Sequence, residues 1–141
     1  MSYISGLPGR FNYVQVDNEM STQLRQIQMV RIRVPNPEGR VKPIVFISGG
    51  LIAREWVTVM TALNFIFEMT TNNAMYREIL ETVDFHVIPL GNPDGYVYSH
   101  STDRHWVKNR AMHATSPCIG VNVNRNFGVG HAHNPQLSDV S

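Results

Sequence analysis

The residues able to do chemistry crowd into two stretches, 49–56 and 104–133. Glu55 stands where a helical pattern opens, a place that suits the positive end of a helix dipole as well as a carboxylate suits a metal ion. Arg54, Arg110 and Arg125, taken one at a time, read as solvated surface arginines. The six histidines raise a zinc reading through His131-x-His133, or through His105 with His113. No carboxylate or thiolate stands at a known ligand spacing to complete either pair. Arg104, His105, Trp106, Lys108 and Arg110 make a basic run around an aromatic, but a net charge of +1 supplies no field for nucleic acid. Gly128-Val129-Gly130 is too short to cradle a phosphate. Cys118 is the only cysteine, so the chain forms no internal disulfide.

The elements that must position these residues follow from periodicity. A chain of 141 residues, 43% hydrophobic and 16% charged, allows one folded domain and no more. Its longest apolar-leaning run without a charge, 56–67, falls short of the roughly 20 residues a bilayer crossing needs, so no membrane partner is expected. Residues 1–23 read as a loose leader with one short strand at Val14-Gln15-Val16. Val30-Arg31-Ile32-Arg33-Val34 alternates as a strand buried on one face does. Residues 44–48 are apolar on both parities, the pattern of a strand covered on both faces. Trp56, Met60, Leu63 and Phe67 recur at helical spacing beside Val59, Ala62, Ile66 and Met69, predicting a mostly buried helix. A shorter helix over 74–81 and a strand over 83–90 complete a crossover unit. His86, inside that strand, reads as a satisfied core or edge residue. Crossover units are parallel and place their sites at the carboxyl ends of the strands, which here means 49–56 and 91–96. After Tyr96 the chain reads as loop.

Three motifs now carry a resemblance. Gly49-Gly50-Leu51-Ile52-Ala53-Arg54-Glu55-Trp56 resembles the GG-[IL]-H-A-R-E-W segment of zinc carboxypeptidases of the A and B type. Gly91-Asn92-Pro93-Asp94-Gly95-Tyr96, followed by Arg104, Trp106, Lys108, Asn109 and Arg110, is similar to that family's NPDGY…R-W-x-K-N-R stretch. Cys118-Ile119-Gly120-Val121-Asn122-Val123-Asn124-Arg125-Asn126-Phe127 is similar to its C-x-G-V-D-[LV]-N-R-N-F motif. The resemblance implies an α/β fold, part of a carboxypeptidase-like mixed sheet flanked by helices. Residues 24–141 would form the first half of a catalytic domain roughly twice this length.

The family activity so implied is zinc-dependent hydrolysis of the C-terminal residue of peptides. Its H-x-x-E pair supplies two zinc ligands, with a third histidine and the general base further along, and leaves a position open for a metal-activated water. Glu55 keeps the glutamate position. Ile52 occupies that of the histidine and has no lone pair to offer, and the later ligand and base lie beyond Ser141. Asn122 replaces an aspartate that, by resemblance, accepts a hydrogen bond from the zinc-bound imidazole. The two changes cohere, because a buried carboxylate deprived of its donor is costlier than a neutral amide. The resemblance further assigns Asn124 and Arg125 to the carboxylate of the substrate, Arg110 to the scissile carbonyl and Arg54 to the substrate groove. A planar guanidinium suits bidentate pairing with a carboxylate.

The expectation is therefore a catalytically dead homologue that does not bind zinc with the family's affinity. Its partner would be a peptide or protein C-terminus, the alternatives being a non-catalytic binder of peptide C-terminal carboxylates or a truncated product without a function of its own. Secretion is the family's habit, although the first twenty residues lack the uninterrupted apolar stretch of an export signal. A half-sheet would leave a strand edge open and fold poorly by itself.

Overall fold

The structure is a computed structural model that describes residues 2–114 and 117–127. Two four-residue helices, α1 (Ser2–Ser5) and α2 (Leu7–Arg10), lead into strands β1 (Val14–Met20) and β2 (Gln26–Ile32). Then come β3 (Ile44–Ser48), the long helix α3 (Trp56–Thr71), the short α4 (Arg77–Thr82), β4 (Asp84–Ile88) and α5 (Pro93–Ser101). A single 3-10 turn, Val123–Arg125, follows. The four strands form one mixed sheet in the order β1-β2-β4-β3, in which β3 and β4 run parallel and the other two pairs antiparallel. The expected α/β architecture is present, as the sheet with its crossover helices.

Register divides the sheet into two unlike faces. Val14, Val30, Ile32, Phe85 and Val87 lie in matched rows and pack with Ala62, Ile66 and Met69 of α3, Leu80 of α4, and Ile4 and Leu7. The opposite face carries the row Gln15, Arg31, His86, Phe46. Here Arg31 pairs with Asp17 at 2.6 Å, and the buried Asp84 takes Arg33 at 3.1 Å and Lys42 at 2.5 Å. His86 is half-buried in this row, and its Nε2 is buried without a hydrogen-bond partner, so it is not the satisfied residue expected. Burial, then the positive charges of Arg31 and Arg33, holds its imidazole below its usual pKa, against the pull of Asp84 and Asp17.

Four local expectations are corrected. The stretch 1–23 is not loose: it holds α1, α2 and all of β1, which pairs with β2 over seven positions. The β1–β2 turn is tied by Ser21 N to Arg25 O at 2.8 Å, and Leu24 sits at φ 59°. β2 accordingly starts at Gln26, four residues before the alternation that was legible. β3 is open on both faces, with Ile44 and Phe46 each 58% exposed, because it is the edge of the sheet and no element lies beyond it among the described residues. In α3 the row Val59, Ala62, Ile66 and Met69 is buried, with Thr70 beside it. Met60 and Phe67 instead line an open apolar groove of about 540 Å³ with Tyr3, Leu63 and Leu90.

The fourth correction is α5, where a loop was expected beyond Tyr96. Asn92 caps this helix by accepting from Gly95 N at 3.0 Å, Pro93 occupies its first position and Asp94 its first turn, a start signal written in three consecutive residues. Asp94 is buried and reaches back to the β1–β2 turn, accepting from Ser21 Oγ at 2.7 Å, Gln23 N at 3.1 Å and Arg25 Nη1 at 2.9 Å.

Candidate functional site

The stretches 49–56 and 91–96 do follow the carboxyl ends of β3 and β4, as the crossover reading requires. Gly49 N donates to Ile88 O at 2.7 Å, which extends the parallel ladder by one step. Gly91 N and Asn92 N then donate to Gly49 O and Gly50 O at 3.0 and 2.9 Å. Gly50 turns the chain at φ 61°, a conformation that strains any residue with a Cβ. Asn92 Nδ2 bridges Leu51 O at 3.1 Å and Lys108 O at 3.0 Å.

The later loops close on this frame. Ala53 N donates to Val107 O at 3.1 Å. Asn109 exchanges both backbone groups of Val121, its N reaching Val121 O at 3.0 Å and its Oδ1 accepting from Val121 N at 2.9 Å. Gly120 N reaches Ala111 O at 2.8 Å. Three sequence-distant stretches, 49–56, 104–111 and 119–125, thus form one polar layer over the strand ends. They bring Arg54, Glu55 and Arg110 onto a shared scaffold and lead directly into Asn124 and Arg125 on the 3-10 turn.

The side chains differ in how they are held. Arg54 and Glu55 are exposed, and neither side chain has a hydrogen bond or ion pair among the described residues. Glu55 takes the N-cap position of α3 without a side-chain cap bond, so its carboxylate faces solvent. The Arg110 guanidinium lies 3.9 Å from the Tyr98 ring centroid and 4.8 Å from that of Trp106. A guanidinium stacked in this way keeps N–H groups at its edge for an acceptor. Asn124 and Arg125 are exposed. Cys118 is exposed, and His113 Nε2 lies 3.3 Å from Gly120 O. The pair His131 and His133, with Gly128-Val129-Gly130, falls outside the described residues.

Sequence reasoning missed a second aromatic assembly beside the first. Trp56 stacks on His100 with ring centroids 3.8 Å apart and planes at 3°, and the Arg104 guanidinium lies 3.8 Å from the Trp56 ring. The indole Nε1 donates to Ser99 Oγ at 2.9 Å, and Arg104 Nη1 donates to Arg54 O at 2.9 Å. Tyr96 and His100 stand four residues apart on α5, a spacing that would have exposed the cluster had the helix been recognised.

The donors do not fit the zinc that the resemblance implies. Ile52 offers no lone pair beside Glu55. Among the described residues no three His, Cys, Asp or Glu side chains gather where they could hold a metal ion. Asn122 carries a further mark: its Oδ1 is buried with no hydrogen-bond partner.

Comparison with known proteins fixes the relationship. The zinc carboxypeptidase family (peptidase M14) matches residues 9–140. Bovine carboxypeptidase O is 30% identical over 140 residues, 94% of this chain and 37% of that protein. Carboxypeptidase B of the crayfish Astacus astacus is 43% identical over 108 residues, 72% of this chain and 35% of its own. The crystal structure of thrombin-activatable fibrinolysis inhibitor superposes with a TM-score of 0.82 at 30% identity, over 92% of this chain and 33% of that one. Carboxypeptidase A from Helicoverpa armigera gives 0.77 at 32% identity, over 90% of this chain and 32% of that one. The chain spans about a third of the length of the relatives it matches. Sequence motifs, the mixed sheet and the loop layer over its strand ends agree, and the chain belongs to the zinc carboxypeptidase family.

Proposed function

We propose that this protein is a zinc carboxypeptidase homologue that grips the C-terminus of a peptide or protein without metal-dependent hydrolysis. The observation that carries the reading is the unequal fate of the two halves of the site. Ile52 stands where a metal-ligating histidine belongs in the family, while Arg54, Arg110, Asn124 and Arg125 remain on the loop layer. Zinc is not held with family affinity, because Ile52 offers it no ligand beside the exposed carboxylate of Glu55. The partnerless Asn122 Oδ1 supports the same reading, as the trace of a position whose imidazole donor has been lost. In the binding mode so inferred, Arg125 and Asn124 meet the terminal carboxylate, Arg110 meets the last peptide carbonyl with the edge of its guanidinium, and Arg54 lies along the groove.

The test is fluorescence anisotropy with one labelled peptide in two forms, free acid and C-terminal amide. The acid should bind the wild-type protein more tightly, and Arg125→Ala should cost it about tenfold in affinity, as loss of a charge-assisted hydrogen bond does. The amide should be indifferent to that substitution. Equal loss for both forms would sink the reading. The metal half is tested separately by zinc uptake of the double variant Ile52→His, Asn122→Asp. A gain relative to wild type is expected, whereas unchanged uptake would show that Ile52 is not the missing ligand position.

A further inference from the structure

We propose that the peptide this protein grips carries acidic side chains in the positions before its last residue, and that Arg54, Arg104 and Lys108 together attract them. This rests on the C-terminus-binding reading above and narrows its ligand class.

The net charge of +1 conceals an uneven distribution. Six ion pairs join cations to carboxylates among the described residues: Arg25 with Asp94, Arg31 with Asp17, Arg33 and Lys42 with Asp84, Arg40 with Glu38, and Arg77 with Glu81. All six lie outside the stretches 49–56, 104–111 and 119–125. Those stretches hold five cations, Arg54, Arg104, Lys108, Arg110 and Arg125, and one carboxylate, Glu55. Arg54, Arg104, Lys108, Arg110 and Glu55 take part in none of the six pairs. The neighbouring Asp103 accepts from His105 N at 2.9 Å. Outside the layer Arg10 alone lacks a carboxylate among the described residues, and it lies 5.6 Å from the Phe11 ring centroid. The chain thus neutralises most of its cations elsewhere and leaves these uncompensated in one layer.

The way the guanidiniums are held points in the same direction. That of Arg104 lies 3.8 Å from the Trp56 ring and donates through Nη1 to Arg54 O at 2.9 Å. That of Arg110 rests on Tyr98 and Trp106. An aromatic face or a neutral carbonyl steadies a guanidinium without cancelling its charge, and further N–H groups remain at its edge. Arg54 is exposed and Lys108 half-buried. Attraction between charges needs proximity and no fixed direction, so both add to the local field as they stand.

The backbone brings these cations side by side. Arg104 reaches the Arg54 carbonyl itself, and Ala53 N donates to Val107 O at 3.1 Å, one residue before Lys108. A peptide whose terminus meets Arg125 and whose last carbonyl meets Arg110 has its earlier residues left for this part of the layer. Cations spread over two adjoining segments match charges spread along an extended chain, whose residues advance about 3.3 Å each. A nucleic acid backbone fits less well, because a net charge of +1 supplies little of the counterion release on which such binding draws.

The experiment is fluorescence anisotropy with labelled peptides that share one free C-terminal residue and differ only in the few positions before it, filled with Glu, Gln or Lys. Wild type should bind the Glu peptide about tenfold more tightly than the Gln peptide at low salt, as several exposed ion pairs acting together allow. The gap should close at about 1 M KCl, where the screening length is about 3 Å. The double variant Arg54→Glu, Lys108→Glu should reverse the order, so that the Lys peptide binds more tightly than the Glu peptide. The double variant Arg10→Glu, Arg40→Glu makes the same change in net charge away from the layer and should keep the wild-type order. Equal binding of the Glu and Gln peptides by wild type, an unreversed order in the first double variant, or reversal in both would overturn the proposal. A single-stranded oligothymidylate that binds as tightly as the Glu peptide would overturn it too, as a preference for any polyanion. The C-terminus reading fails separately, if the Glu peptide binds equally as acid and as amide. Preference for Glu over Gln in the amide form then still supports the role of Arg54, Arg104 and Lys108, and its absence overturns it. If Arg54→Glu, Lys108→Glu does not fold, Arg54→Gln, Lys108→Gln carries the comparison: the preference should shrink to less than about threefold, and an undiminished one overturns the proposal.

Discussion

The two flanks of the β3–β4 pair are finished in opposite ways. At the carboxyl ends of the strands, four stretches of loop and helix lie over one another, tied by the side chains of Asn92 to Leu51 O and Lys108 O, of Asn109 to Val121 N, and of Asp94 to Ser21, Gln23 and Arg25 of the β1–β2 turn. Along its free side β3 presents Ile44, Val45 and Phe46 at 58, 42 and 58% exposure, with no charge in the strand to blunt the edge. The difference teaches where each part of the molecule gets its order. The layer bearing the candidate site is stabilised by polar contacts that this chain supplies to itself, whereas the strand beneath it is exposed among the described residues.

The comparison is broken most severely by crowding the loop layer. A Cβ added at Gly95 would lie 2.3 Å from Lys108 O, 2.6 Å from Asn92 Nδ2 and 2.9 Å from the Ala53 Cβ. Two of these neighbours are backbone or tightly bonded amide and cannot yield, so Gly95→Ala should cost about 3 kcal/mol in chemical denaturation. Next comes Asp94→Ala, which leaves Ser21, Gln23 and Arg25 without their shared acceptor. Arg25 is 34% exposed and partly recovers water, so the loss should be about 2 kcal/mol and not the full cost of a broken buried pair. A substitution on the other flank should do little: Phe46→Lys is expected within about 0.5 kcal/mol of wild type. It should also lower self-association, measured by light scattering at high concentration. A loss above about 2 kcal/mol there would mean that the β3 face is covered in solution.

The smallest effect concerns the charged face of the sheet. Because His86 in the folded chain holds its proton less firmly than usual, the unfolded chain is protonated first as acid is added. The stabilisation is complete above about pH 6.5 and is lost as pH falls from there toward the folded value. His86→Asn should flatten that part of the stability profile, and an unchanged slope would assign the drop to other groups.

Legibility in the sequence followed how local the cause was. The crossover, its parallel strands and the two stretches that follow their carboxyl ends were readable, because the burial of Val59, Ala62, Ile66 and Met69 on α3 and of the β4 core writes itself into period. β3 misled for the same reason: Ile44 to Ser48 is composed for a covered strand, and composition does not say which chain does the covering. β1 was nearly invisible, since Asp17, Asn18 and Glu19 put polar side chains on both faces of an edge strand and its pairing is set by a turn with a leucine at positive φ. The candidate site residues were singled out only through their motifs. Trp56, His100 and Arg104 assemble from three segments; the sequence placed Trp56 in the core stripe of a helix and Arg104 in a basic run, and gave no sign of His100.

The grip of Asp94 on the β1–β2 turn has a consequence for the order of events in folding. A two-stranded hairpin ordinarily sets its register through its own turn, within microseconds and without help from distant chain. Here Ser21, Gln23 and Arg25 find their acceptor some seventy residues away, and closing so long a loop must come before the turn is complete. The amide of Gln23 should therefore gain protection in step with α5, not with its own hairpin. The first connection in the chain is one of the last to be sealed.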